Sequence, residues 1–134
     1  MTTTKFFRGI QTARTTWHSE HAVAGQEGRK IDVAVFNGEI RYADGETGVY
    51  AGVEAIEISD GAEPFSGTNV VILADGSISH QAFEGTVTVR ESPRRIGGIG
   101  RWEFLTGTGR FHGLRGGGTL TWTVEDDEWR AEFS

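Results

Sequence analysis

Hydrophobic and polar side chains alternate in twos along most of this chain, the spacing that sets successive residues on opposite faces of a β-strand. In "KFFRGIQTART" (5–15), Phe6, Arg8 and Ile10 fall on one face, and Phe7, Gly9 and Gln11 on the other. "KIDVAVF" (30–36) sets Ile31, Val33 and Val35 against Asp32 and Ala34. The Asn37-Gly38 pair that follows favours the positive φ angles of a two-residue hairpin. "EIRYA" (39–43) is then the expected return strand, with Ile40 and Tyr42 on one face. "DGETG" turns the chain into a long strand, "VYAGVEAIEIS" (49–59).

"DGAEPFSG" (60–67) is the clearest loop, and "TNVVILA" (68–74) is almost wholly apolar, as expected of a strand covered on both sides. Asp75-Gly76 leads into "SISHQAFEGTVTVRE" (77–91), which is long for one flat strand. Gly85 is therefore expected to mark a bulge or bend. After the loop "SPRRIGG" come "IGRWEFLTG" (99–107), "GTLTWTVE" (118–125) and "DEWRAEFS" (127–134). The last two carry parallel stripes, Leu120, Trp122 and Val124, then Trp129, Ala131 and Phe133. One stretch competes with this rhythm: the middle of "ARTTWHSEHAVAGQEG" (13–28) also suits a helical turn or a loose loop.

Eight or nine strands with short connections predict an all-β, antiparallel, mostly up-and-down barrel of about eight strands, one domain over 1–134. Closing the sheet removes its exposed edges, and eight strands enclose a space that side chains fill or that holds one small ligand. A Greek-key sandwich needs longer crossings than this chain offers. Glycine supports the reading: 20 of 134 residues, about twice the ~7% average, which disfavours helices and suits turns and bends.

Composition narrows the function classes. A net charge of −6 opposes nonspecific binding to nucleic-acid phosphates, and the only basic cluster, "RESPRRIGGIGR" (90–101), reads as a loop rim. There is no cysteine, so disulfides, thiolate metal sites and thiol nucleophiles are excluded. No run nears the ~18 apolar residues of a membrane-spanning helix. "MTTTKFFRGI" lacks the continuous apolar segment of a signal peptide, so a cytoplasmic setting without membrane partners is expected.

The stretch "GTGRFHGLRGGGT" (107–119) holds the densest glycines. "GLRGGGT" has threonine where a P-loop requires lysine, and a strand follows where a helix must. The dinucleotide fingerprint fails too, because His112 stands where its third glycine belongs. What remains is a structural corner, with one short helical turn near residues 109–114 that lets Phe111 and Leu114 plug a barrel end. "GTGRFHGLRGGGTL" also resembles the G-[ST]-G-x-[FY]-x-G-x-x-G-x-G segment near the C-terminus of barrels of the allene oxide cyclase and dirigent type, which include bacterial members. The similarity covers mainly residues 83–125, and no catalytic residue carries over from it. It implies a barrel with an apolar cavity, assembly into a homo-oligomer (dimer or trimer), and in some members cyclisation or steered coupling of hydrophobic substrates.

Among residues that could carry chemistry, Glu54 shares a face with Tyr50, Gly52, Ile56 and Ile58. If that face points inward, desolvation raises its pKa toward general acid–base work, and Tyr50 could donate a hydrogen bond to it or to a substrate. Trp102, Trp122 and Phe104 are the expected apolar wall for a ligand, with Asn69, Tyr42 and His80 as polar members. An exposed His80 is the simpler alternative for that residue. In "WHSEH" (17–21), His18 and His21 would share a face only on a helix and lack a third ligand, so no metal and no cofactor is expected. No G-x-S-x-G nucleophile elbow is present. The resulting expectation is a cyclase or isomerase for a small hydrophobic, polyketide- or lipid-like molecule, its reaction class implied by the resemblance. A carrier of such a molecule, or a packed barrel acting only in self-association, are the alternatives.

Overall fold

Pleated strands run through nearly the whole chain. The computed structural model describes residues 7–59, 63–92 and 95–134. Its strands are β1 (Gly9–Ala22), β2 (Lys30–Tyr42), β3 (Thr47–Ile58), β4 (Pro64–Leu73), β5 (Ile78–Ser92), β6 (Arg95–Gly107), β7 (Gly117–Glu125) and β8 (Glu128–Phe133). Each pairs antiparallel with the next, and β8 returns to β1, closing an up-and-down barrel.

Alternation feeds aromatic side chains to the inside from almost every strand. Phe36, Tyr50, Phe65, Phe83, Trp102 and Trp122 are all buried. Their rings meet edge-on or tilted: Phe65 and Trp122 lie 5.2 Å apart at 88°, and Trp129 lies 5.1 Å from Trp122 and 5.0 Å from Phe36. Edge-to-face contacts set the positive ring edge against the negative face. The middle of the barrel is thereby filled.

So many rings fit because glycines face them. Gly85 and Gly100 are cross-strand partners on the inner face. A Cβ on Gly100 would overlap the Glu84 carbonyl oxygen and come within 3.0 Å of the Phe65 ring.

One end of the barrel is plugged by a single 3-10 turn, Gly109–Phe111, whose Phe111 is buried. Gly109 has φ 59 and sits against Ser77, and Ser77 Oγ accepts a hydrogen bond from the Arg110 amide at 3.0 Å. Arg110 also pairs with Glu46 and Asp75. Phe111 completes a ring cluster with Phe7 and Phe104, and Leu114 packs against the same core. The late glycines are hinges of this plug, as their spacing and context imply.

Several local expectations are corrected. Asn37-Gly38 is not a hairpin turn but the interior of β2. Gly38 faces inward, where a Cβ would strike the backbone of Thr12. "DGAEPFSG" is shorter as a loop than expected: β4 already begins at Pro64, and Phe65 is a core residue. Pro64 at a strand's first position forfeits no ladder hydrogen bond. "SPRRIGG" likewise enters β6 at Arg95.

Gly85 is not a bulge. The register of β5 shifts instead at His80/Gln81, Val87/Val89 and Arg90/Ser92, and Gly85 makes room for Phe65. The competing helical turn or loop within 13–28 is strand as far as Ala22, with a bulge between Thr15 and Trp17. Phe6, residues 60–62 and residues 93–94 lie outside the described residues.

The close fit at Phe65 has a measurable consequence. Gly100→Ala is expected to lower stability by about 1–3 kcal/mol through overpacking. Ile99→Thr, at the exposed neighbouring position, is expected to change it by less than about 0.5 kcal/mol. Urea unfolding midpoints of the two variants check this; equal values would mean that both the Glu84 backbone and the Phe65 ring yield freely.

Candidate functional site

Among the described residues, no plug like the Phe111 turn closes the opposite end. There a recess of about 400 Å3 is lined by Thr15, His18, Asp32, Glu54, Ile56 and Trp129, with Ile96, Val124, Asp126 and Asp127 around it. β2 and β3 supply its acids. Ala34 pairs with Glu54 and Asp32 with Ile56, so the two carboxylates are diagonal neighbours on one inner face, within reach of each other. The bulge in β1 turns His18 inward opposite Ala34, and its Nε2 lies 2.6 Å from Asp32 Oδ1. That approach is an ion-pair contact when the ring is protonated, but it is not aligned as a hydrogen bond.

Glu54 is the most buried charged side chain described, at 2% exposure, and its Oε1 has no hydrogen-bond partner. Burial, reinforced by the nearby Asp32 charge, pushes its pKa up to about 8. At neutral pH it is a protonated acid facing the recess, close enough to its pKa to give or accept a proton.

Apolar side chains, Ile56, Ile96 and Val124, surround the acids, and Trp129 closes one wall with its indole N–H held by Thr15 Oγ1 at 2.8 Å. On the rim, the β7–β8 turn holds Asp126 and Asp127 at φ 52 and 68, the left-handed pair that a two-residue hairpin turn requires. The Thr15 amide donates to the Asp127 carbonyl at 2.9 Å, tying this turn to the β1 bulge.

Of the residues expected to form a site, the structure brings only Glu54 to the recess. Tyr50 faces inward on the same strand but lies four residues away, roughly 13 Å along a strand, with its ring on Phe36 at 5.8 Å. Burial raises its hydroxyl pKa. Trp102, Phe104 and Tyr42 occupy the plugged end, where Trp102 meets Phe104 and Phe133, and Tyr42 meets Phe7 and Phe133. Burial, then the Asp44 charge, lifts the Tyr42 hydroxyl to about 12. They are packed against one another, not against a cavity.

Trp122 lies beneath Trp129 and outside the recess lining, its indole N–H buried without a partner. Asn69 pairs across with Gln81, which donates to Ser79 Oγ at 3.1 Å, in a polar layer inside the β4–β5 wall. His80 points outward and is exposed, because plain alternation sets it between the inward Ser79 and Gln81.

His18 and His21 diverge, as residues three apart on a strand must. His18 faces the recess, while His21 contacts Ser19 Oγ on the outside at 2.7 Å. Among the described residues no group of three or more His, Asp or Glu is arranged to hold a metal ion.

Asp32, His18, Thr15 and Trp129 escaped the sequence reading of this site. The signal for Asp32 lay in β2 itself. Counting back in twos from Tyr42, Ile40 and Phe36 reaches Ala34 and Asp32, once Asn37-Gly38 is read as strand. His18 had no such signal, because the bulge inverts the alternation before it. No protein-family model matches this chain, and no curated protein or solved structure matches it.

The raised Glu54 pKa sets a pH dependence. Between about 4.5, its ordinary value, and about 8, the folded chain holds a proton that the unfolded chain releases. Stability therefore falls as pH rises through that window. Glu54→Gln is expected to remove most of the slope, a difference of a few kcal/mol by pH 8. Urea midpoints measured from pH 5 to pH 8 read it; parallel profiles for the two proteins would mean Glu54 ionises normally.

Proposed function

We propose that this protein is a cofactor-independent proton-transfer enzyme of the isomerase or cyclase kind. Its substrate is a small hydrophobic, polyketide- or lipid-like molecule whose carbonyl end enters the open-end recess. The observation that carries the reading is Glu54: a neutral, unpartnered buried carboxyl group facing free space beside the Asp32–His18 pair. The reaction class comes from the sequence resemblance to allene oxide cyclase- and dirigent-type barrels.

In this scheme the Glu54 proton hydrogen-bonds the substrate carbonyl oxygen. Asp32 or His18 accepts a proton from the adjacent carbon, leaving an enolate whose oxygen accepts the Glu54 hydrogen bond. Return of that proton to a different carbon gives the isomer; attack by the enolate carbon on an electrophilic carbonyl within the same molecule gives a ring, the new alkoxide taking the proton back from Asp32 or His18. Ile56, Ile96, Val124 and Trp129 exclude water and seat the apolar part. At about 400 Å3, the recess lies toward the small end of ligand sites. A carrier without chemistry would need an enclosed apolar cavity, and the aromatic filling of the barrel's middle counts against it.

The test is solvent-deuterium incorporation into a small enolisable ketone, followed by NMR in heavy water. Glu54→Gln and Asp32→Asn are each expected to slow exchange by about 10²–10⁴-fold. Tyr50→Phe, whose ring packs on Phe36, is expected to leave it unchanged. Wild-type exchange no faster than buffer, or undiminished exchange in Glu54→Gln, would end this reading.

A further inference from the structure

The recess at the end opposite the plug is one-sided in charge. Four carboxyl side chains line it, Asp32, Glu54, Asp126 and Asp127. Its only basic lining group is the His18 imidazole, already against Asp32 Oδ1 at 2.6 Å. No lysine or arginine lines it. Described cations on the strands and loops around it pair with other acids: Arg14 with Glu128 at 3.0 Å, Lys30 with Glu20 at 3.0 Å, Arg29 with Glu57 at 2.8 Å and Arg95 with Glu91 at 3.0 Å.

Acids on a rim would by themselves be a solvated edge. Glu54 makes this one a site, because it lies two residues deeper along β3 than Ile56 and is only 2% exposed. Its Oε1 has no hydrogen-bond partner, yet the side chain lines the recess. Buried polar atoms are almost always partnered, so this one is placed for a group that enters from outside.

The walls decide what enters. A fatty carboxylate or a phosphate would meet acids from β2, β3 and the β7–β8 turn, with no lysine or arginine to receive it. A bare metal ion needs converging ligands, and among the described residues no group of three or more His, Asp or Glu is so arranged. Ile56, Ile96, Val124 and Trp129 instead stand among the acids. Carboxyl groups spread around apolar and aromatic walls suit a cation with an organic body. Its N–H groups bond to the acids, its hydrocarbon covers the apolar walls, and an aromatic ring beside it adds attraction. The chain's net charge of −6 draws such a molecule in and repels anions.

We infer that the recess binds organic ammonium ions, the charged nitrogen facing Asp32, Asp126 and Asp127 at the mouth and the body lying inward toward Glu54. The inference rests on the recess being the substrate site proposed above. It narrows that substrate to a carbonyl compound bearing a protonated amine, and it excludes fatty acids and phosphorylated molecules.

Three molecules of one shape test it: 2-phenylethylammonium, 2-phenylethanol and 3-phenylpropanoate, titrated at neutral pH and low salt while NMR follows the Trp129 indole N–H. The ammonium ion is expected to bind about tenfold more tightly than the alcohol, and the carboxylate is expected not to bind. With Asp126→Asn and Asp127→Asn combined, the preference is expected to fall below about threefold while the alcohol binds as before. Asparagine tolerates the left-handed turn as aspartate does, so far-ultraviolet circular dichroism is expected to stay unchanged. Equal affinity for ammonium ion and alcohol, or a preference that survives in the double variant, would overturn the inference. So would an indole signal that the ammonium ion leaves in place up to about 10 mM. None of these readouts needs turnover. An intact ammonium preference without deuterium exchange would remove the proposed reaction alone, whereas exchange of a neutral ketone without that preference would remove this inference alone.

Discussion

The interior of an eight-stranded barrel is only wide enough for side chains, and in this chain aromatic rings claim that space first. Phe36, Phe65, Phe83, Trp122 and Trp129 form one continuous cluster across the middle. Inward glycines such as Gly85 and Gly100 make it possible, because a ring lies where a side chain would otherwise stand. Everything else follows from that filling. No ligand passes through the centre, so only the two ends are available, and Phe111 on its 3-10 turn closes one of them.

At the remaining end the packing runs out and acids take over. Glu54 and Asp32 occupy inward positions of strands that are otherwise apolar, an arrangement that works against stability. A buried carboxyl without a hydrogen-bond partner answers the desolvation cost by holding its proton, as the Glu54 pKa of about 8 indicates. Asp32, more exposed and in contact with His18, has a different environment. The two inward carboxyl groups therefore differ in burial and in partners. That contrast, more than the recess's size, distinguishes this end from the grooves on the barrel's outside.

The outer wall poses the same problem in reverse. Strands β2 to β4 keep their β-branched residues outward as well as inward, so the sheet there is hydrophobic through its thickness. The flank of β7, β8 and β1 is polar instead, with outward threonines on β7 and the Arg14–Glu128 pair across β1 and β8.

Period-two alternation made the architecture legible. The stripes Leu120–Trp122–Val124 and Trp129–Ala131–Phe133, and the face bearing Tyr50, Glu54 and Ile56, all turned out inward as their spacing implied. The plug was legible too, because the late glycines fit neither nucleotide loop. Turn chemistry was less dependable: Asn37-Gly38 has the composition of a hairpin, yet its pairing with Arg14 and Ala13 on one side and Ala51 and Tyr50 on the other keeps it extended. The site was half legible. Glu54 stood out as an acid among apolar neighbours, whereas Asp32 was hidden beside Ile31, Val33 and Val35, whose apolar character named the wrong face as the inner one. His18 was hidden by a bulge.

By itself, then, the order of residues determined that strands form, how many, and which side chains share a face. Those are local consequences of backbone sterics and of the pleat. Which face points inward, and which residues from distant strands meet, were decided only when β8 closed on β1. An isolated strand has no inside, and a single bulge or shift in pairing exchanges the faces without changing a residue.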